Sequence, residues 1–205
     1  MTMTHAKNVQ TDYPIEALLT KRWSPCSFAE KDVATEDLFA ILEAARWAPS
    51  SYNEQPWRYI LARRSHPEAF AKLLSCLVEA NQVWARHAPV LLIGVTMLTF
   101  ARNGKPNKAA AHDLGLAAGN MSVEATARGL SVHQMIGIVP ERVRELYGVP
   151  EEAEPLTALA IGYRGDGSNL PAALQERDRT PRSRLPLSAF VFENVWDESL
   201  RADGY

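Results

Sequence analysis

At 205 residues with 46% hydrophobic side chains, the chain carries enough apolar material for one compact domain, or for one protomer of an intertwined oligomer. Its 22 basic and 24 acidic residues leave a net charge near -2, which gives no global attraction to nucleic acid or to a membrane surface. The two cysteines, Cys26 and Cys76, form neither a CxxC pair nor a disulfide framework, so a reducing, cytoplasmic setting is expected.

Residues 1–10 are polar and lack the apolar core of a signal peptide. The longest apolar run, 88–98, is too short to cross a bilayer as a helix. Pro14 is placed near the first turn of an opening helix capped by Asp12, with Ile15, Leu18 and Leu19 as its apolar face, and Pro25 breaks it. Thr35 caps a second helix, in which Leu38, Ile41, Leu42 and Ala45 recur at helical spacing. A strand follows at 57–62, rich in aromatic and branched residues, and then a helix from 65–68 that turns Phe70, Leu73, Leu74 and Leu77 inward. Residues 81–87 continue as a helix or a separate turn. The run 90–95 shows no polar alternation and reads as a strand buried on both faces.

Asn103-Gly104 and Pro106 make 99–108 a loop. The longest helical pattern, 109–128, is crowded with alanine and glycine and closed by Gly129, which places it in a core or at a subunit interface. Asn120-Met121-Ser122 fits a glycosylation triplet, but it lies inside this helix and is set aside. A short strand at 130–138, a helix from Pro140 to Gly148 and a third apolar strand at 156–163 complete the body. Beyond Arg164 the chain becomes a Pro- and Arg-rich arm, 165–205, ending in a strand-like Ala189-Phe190-Val191-Phe192; a partner subunit is the expected surface for it. There is no internal repeat and no second domain, so 1–205 is expected to be a single unit.

The most distinctive stretch is Ala48-Pro49-Ser50-Ser51-Tyr52-Asn53-Glu54-Gln55-Pro56-Trp57. Pro49 ends the preceding helix and Pro56 forbids another, so short hydroxyl and amide side chains are displayed on a turn. On composition alone this is a surface turn. Elsewhere, His5, His66, His87, His112 and His133 are scattered without metal spacing. No GxSxG, P-loop or GxGxxG is present; Gly162-Tyr163-Arg164-Gly165-Asp166-Gly167 has the wrong spacing. What remains is Arg22 and Ser24 early and Arg182-Ser183-Arg184 late, groups suited to a phosphate though each arginine alone reads as a solvated charge.

Arg22-Trp23-Ser24-Pro25, the segment Ala44-Ala45-Arg46-Trp47 running into the loop above, Gly129-Leu130 leading to Gly137, and Arg182-Ser183-Arg184-Leu185-Pro186 together resemble the FMN-dependent nitroreductase family, from the first helix to the tail. The resemblance implies an α+β fold with a mostly antiparallel central sheet flanked by helices, in a homodimer that exchanges C-terminal arms. It implies FMN at the interface, with Arg22, Ser24, Arg182 and Arg184 on the phosphate and Trp23 giving a backbone contact. Pro49, Ser50, Ser51 and Asn53 would approach from the other protomer. Gln134, Met135, Ile136 and Gly137 would run along the ring edge, with a backbone N–H of Ile136 or Gly137 near N5, and Asn81 on the pyrimidine side.

The implied reaction is ping-pong: NADH or NADPH gives hydride to N5 and leaves, and a quinone or nitroaromatic is then reduced in the same place, with no side chain acting as acid or base. Two departures from the family pattern stand out. Cys26 occupies a position usually held by Arg or Lys near the flavin N1–C2=O edge, which implies a lowered reduction potential that Cys26→Arg would raise. A plain small filler ranks above a reactive thiol there. The 99–108 loop is also shorter than in many relatives. Alternatives left open are a specialised flavin enzyme dehydrogenating or dehalogenating one metabolite, a non-catalytic FMN-binding sensor or interaction dimer, and a structural dimer without cofactor.

Overall fold

The uninterrupted apolar run near residue 90 is the second strand, β2 (Val90–Met97), and it is interior to the sheet. Its side chains alternate between two cores: Leu91, Ile93 and Val95 enter one, Val90 and Leu92 the other. A strand covered on both faces needs no polar alternation, which is why none appears in the sequence. The computed structural model describes residue 9 and residues 11–200, so the polar stretch 1–10 lies almost wholly outside the described residues.

β1 (Trp57–Arg63), β2, β4 (Ala153–Gly162) and β3 (Ser131–Met135) form a sheet in the order β1-β2-β4-β3, antiparallel at every pairing. One core lies between the sheet and the helices α2 (Thr35–Arg46) and α5 (Ala110–Ala127), through Leu38, Ile41, Leu114 and Met121. The opposite core takes Phe70 and Leu73 of α3 (Pro67–Leu74), Trp84 of α4 (Glu79–Ala85) and Val143 of α6 (Pro140–Tyr147). Each fully buried leucine or isoleucine contributes about 1.5–3 kcal/mol. Gly129 and Gly148 take left-handed φ values of 72° and 65° and end α5 and α6 as the sequence predicts.

Four expectations are corrected. The opening helix, α1 (Ala17–Lys21), starts after Pro14 and Glu16, without a side-chain cap, and Ile15 and Leu19 are exposed. Thr35 is the first residue of α2 rather than its cap, and no side chain caps that end. The arm contains a helix, α7 (Ala172–Arg179), that its prolines obscure: Pro171 stands just before the first turn, where proline is tolerated, and Ala, Leu, Gln, Glu and Arg follow. Further on, Leu187–Ala189 is a 3-10 turn instead of a strand, and Phe192 bridges to Ser199. Among the described residues no helix is long and apolar enough to cross a membrane.

Candidate functional site

Arginines from opposite ends of the chain meet. The segments leaving α1 and α7 run together: the Arg182 guanidinium donates to the Arg22 carbonyl at 2.5 Å and also to the Thr20 carbonyl. Arg22 reaches the Ser24 hydroxyl at 3.5 Å. The Arg22 pKa is pushed down first by burial and then by Arg184, and that of Arg182 by burial and then by Arg22 and Arg184. Three like charges held together raise the energy of the free protein, and a multivalent anion relieves that cost. Trp23 is half-buried here, with the Arg164 guanidinium 5.8 Å from its ring centre.

The polar loop between α2 and β1 is strained. Tyr52, Asn53 and Gln55 have φ values of 53°, 56° and 51°, in the left-handed region that side chains disfavour. It is held by tethers: the Ser51 N–H donates to Asp113 Oδ2 at 3.0 Å, the Gln55 N–H to Ser50 Oγ at 3.0 Å, and the Ala101 N–H to Glu54 Oε1 at 2.6 Å. The Tyr52 ring meets Phe100 edge-on at 5.9 Å, and the Arg102 guanidinium lies 4.1 Å above Tyr52. Braced in this way by α5 and the turn at 99–106, the loop leaves Pro49, Tyr52 and Asn53 exposed and Ser50 and Ser51 half-buried. Backbone strain fixed by such bracing is characteristic of ligand-facing segments.

A third surface lies where β3 ends. Asn81 on α4 donates through Nδ2 to the Gly137 carbonyl at 3.0 Å, and the Val78 N–H donates to the same oxygen at 3.1 Å. A Cβ on Gly137 would collide with the Asn81 amide and lie 2.9 Å from Val78 Cγ2, so glycine allows this approach. The Ile136 and Gly137 N–H groups donate to no protein acceptor among the described residues, and the Ile136 side chain is 70% exposed. The neighbouring side chains are engaged elsewhere. Met135 packs in the core, and the Gln134 amide donates to the Ala118 carbonyl and Ser122 Oγ, tying β3 to α5. Met135 is buried, so any contact it makes with a ligand at the edge falls to its backbone, whereas Gln134 remains exposed.

Cys26 fills a core position, as the small-filler reading expects. Its side chain is 0% exposed, in the core cluster that includes Phe28 and Trp84, and burial above all pushes its pKa up to about 11. A fully covered thiol touches no ligand at the surface. Cys26 is a small core residue, protonated and unreactive at neutral pH.

The residues that organise this region carry no sequence signature. Asp178, buried on α7, accepts the Cys26 N–H at 3.0 Å on each carboxylate oxygen and the Ser27 N–H at 2.9 Å on Oδ2. His133 Nδ1 lies 2.8 Å from the Pro25 carbonyl, and its ring stacks 4.2 Å from Trp84. Since a carbonyl only accepts, Nδ1 carries the proton; burial holds the His133 pKa below its ordinary 6.5. The Ala29 N–H donates to the Tyr163 carbonyl and the Gly165 N–H to the Ser27 carbonyl, fastening the same segment to the end of β4. Among the described residues no group of three or more His, Cys, Asp or Glu is placed to hold a metal ion.

Comparison with known proteins places these features in a wider setting. The model of the Nitroreductase family matches residues 19–163. A Bacillus subtilis protein named FMN reductase [NAD(P)H] is 31% identical over 204 residues, covering 89% of this chain and 79% of its own length. A Thermus thermophilus NADH dehydrogenase is 28% identical over 189 residues, covering 78% of this chain and 87% of its own. Among solved structures, one described as an oxidoreductase containing FMN superposes with a TM-score of 0.87 at 35% identity, covering 94% of this chain and 98% of that one. A nitroreductase family protein from Clostridium difficile 630 gives 0.67 at 26% identity, with 87% and 96% covered.

Proposed function

Because the chain belongs to the nitroreductase family, we propose that it is an FMN-dependent oxidoreductase that takes hydride from NADH or NADPH and passes it to quinone- or nitroaromatic-type acceptors. The observation that carries this reading is the cluster of Arg22, Arg182 and Arg184, brought together from opposite ends of the chain. That donor set suits a phosphate monoester. A second point of fit is the edge at Gly137, where two N–H groups lack acceptors among the described residues and a glycine lets Asn81 close in.

Arg22, Ser24, Arg182 and Arg184 would hold the phosphate of FMN, with the Trp23 backbone beside them. Asn81 and the backbone of 134–137 would border the ring, the Ile136 or Gly137 N–H facing N5. Pro49, Ser50, Ser51 and Asn53 would come from a second copy of the chain. That arrangement makes the active species a homodimer, with residues 165–205 as an arm across the partner. The exposed apolar residues of the arm, among them Leu185, Phe190 and Trp196, are suited to such burial. When bound, FMN supplies reversible hydride transfer through N5. The protein's part is to hold the phosphate, aim a backbone donor at the ring edge and leave one ring face open. A single open face serves reductant and acceptor in turn, which gives a ping-pong order.

Initial rates of NADH oxidation, measured at several fixed concentrations of a simple benzoquinone, test this. Parallel double-reciprocal lines are expected. Intersecting lines would show that both substrates bind together and overturn the shared face.

A further inference from the structure

The chemistry of a phosphate cradle depends on how its two halves are registered, and here they come from segments about 160 residues apart. Arg22 and Ser24 stand just before Cys26 and Ser27, while Arg182 and Arg184 follow shortly after α7. One carboxylate joins the two: Asp178 accepts the Cys26 and Ser27 N–H groups through three contacts of 2.9–3.0 Å. Hydrogen bonds to a charged acceptor are about twice as strong as neutral ones.

Elsewhere on α7, Leu174 packs against the core and the Gln175 amide donates to the Leu170 carbonyl at 2.9 Å, but neither reaches the segment at 22–27. Asp178 is the one buried residue among Ala172–Arg179, and its flanking Arg177 and Arg179 are exposed. An amphipathic helix normally docks through an apolar stripe; this one adds a buried acid to the half-buried Leu174. The segment that receives it is already fastened on its other sides, by His133 at the Pro25 carbonyl and by the end of β4 at Ala29 and Ser27. The loop therefore serves as the fixed reference, and Asp178 sets where α7 ends and the arm arginines begin.

We propose that Asp178 is the positioning residue of the phosphate cradle, holding Arg182 and Arg184 in register with Arg22 and Ser24, and so giving the protein its preference for a phosphorylated flavin. This rests on the FMN reading above. It assigns Asp178 no contact with the ligand. Loss of its carboxylate loosens the grip on the phosphate and leaves the ring-facing surfaces at 49–53, Asn81 and Gly137 as they are.

The test compares FMN with riboflavin, which lacks only the phosphate. Dissociation constants for both are measured by flavin fluorescence on the full chain freed of flavin, for the wild type, Asp178→Asn and Asp178→Glu. Asp178→Asn puts an amide donor against the two N–H groups. It is expected to weaken FMN binding by about ten- to a hundredfold, with riboflavin binding unchanged within about twofold. Asp178→Glu keeps the charge on a stem one methylene longer, and it decides the matter if the asparagine variant does not fold. For it too, a loss confined to FMN is expected. Equal losses for both flavins would make Asp178 a general structural residue and overturn the proposal, as would FMN affinity unchanged in either folded variant. A wild type that binds FMN no better than riboflavin would overturn the cradle itself, and this proposal with it.

Discussion

Replacing Asp113 by alanine probes the strained loop through its firmest tether. Asp113 is 1% exposed in the first turns of α5, and its Oδ2 accepts the Ser51 N–H at 3.0 Å. A hydrogen bond to a charged group contributes about 1.5–3 kcal/mol, and a carboxylate near a helix N-terminus roughly 0.3–1 kcal/mol more. The loss is therefore about 2–4 kcal/mol. Against it stand the left-handed conformations of Tyr52, Asn53 and Gln55, each costing on the order of 1–3 kcal/mol, with asparagine at the low end. Summed over three residues the strain, about 3–9 kcal/mol, is at least as large as the tether, so without Asp113 the loop should relax while the sheet persists. Hydrogen exchange is the assay. Amides at 51–55 should exchange about thirtyfold faster or more in Asp113→Ala, corresponding to about 2 kcal/mol, with β2 amides affected much less. Asp113→Asn keeps one acceptor oxygen and should fall between. Unchanged exchange at 51–55 would refute the idea that Asp113 holds the strain in place.

Cys26→Arg should destabilise the protein by about 1–3 kcal/mol or more, because it forces a long side chain into a fully covered site; a urea midpoint equal to wild type would contradict this. Consistent with burial and a pKa near 11 for Cys26, and a raised value for Cys76, neither thiol should react with a thiol reagent at pH 8 until the chain unfolds. His133 is held neutral below its ordinary 6.5, so the unfolded chain takes up a proton there that the native state refuses. Its contribution to stability is present above pH 6.5 and lost as the pH falls below it, and urea midpoints at pH 8 and pH 5 should differ less in His133→Gln. Gly137→Ala should cost about 1–3 kcal/mol by forcing the Asn81 amide off the Gly137 carbonyl, and the purified variant should retain less FMN than wild type.

What the sequence made legible follows from periodicity and local punctuation. β2 could be read because burial on both faces leaves a continuous apolar run, and α5 because Gly129 closes a long helical pattern. The loop at 48–57 stood out because two prolines bracket it, although its left-handed residues are Tyr52, Asn53 and Gln55, with no glycine to announce the turn. Asp178 could not be read: its partners lie 151 and 152 residues away, and it sits in an arginine-rich run that looks like solvated surface. The same holds for Asp113, whose tie to Ser51 spans 62 residues. Cys26 could be read as a small filler because no motif lowers its pKa, and the position does turn into the core; what the sequence could not show is that Asp178 takes its backbone N–H.

The account rests on FMN held by the arginine cradle and reduced by a nicotinamide. The most direct measurement is an absorbance spectrum of the purified protein, followed by anaerobic addition of NADH and, separately, NADPH. The account predicts flavin bands that bleach with at least one of the two. Flavin bands that persist with both would contradict the oxidoreductase, and a colourless protein that stays colourless after incubation with FMN would contradict the cradle.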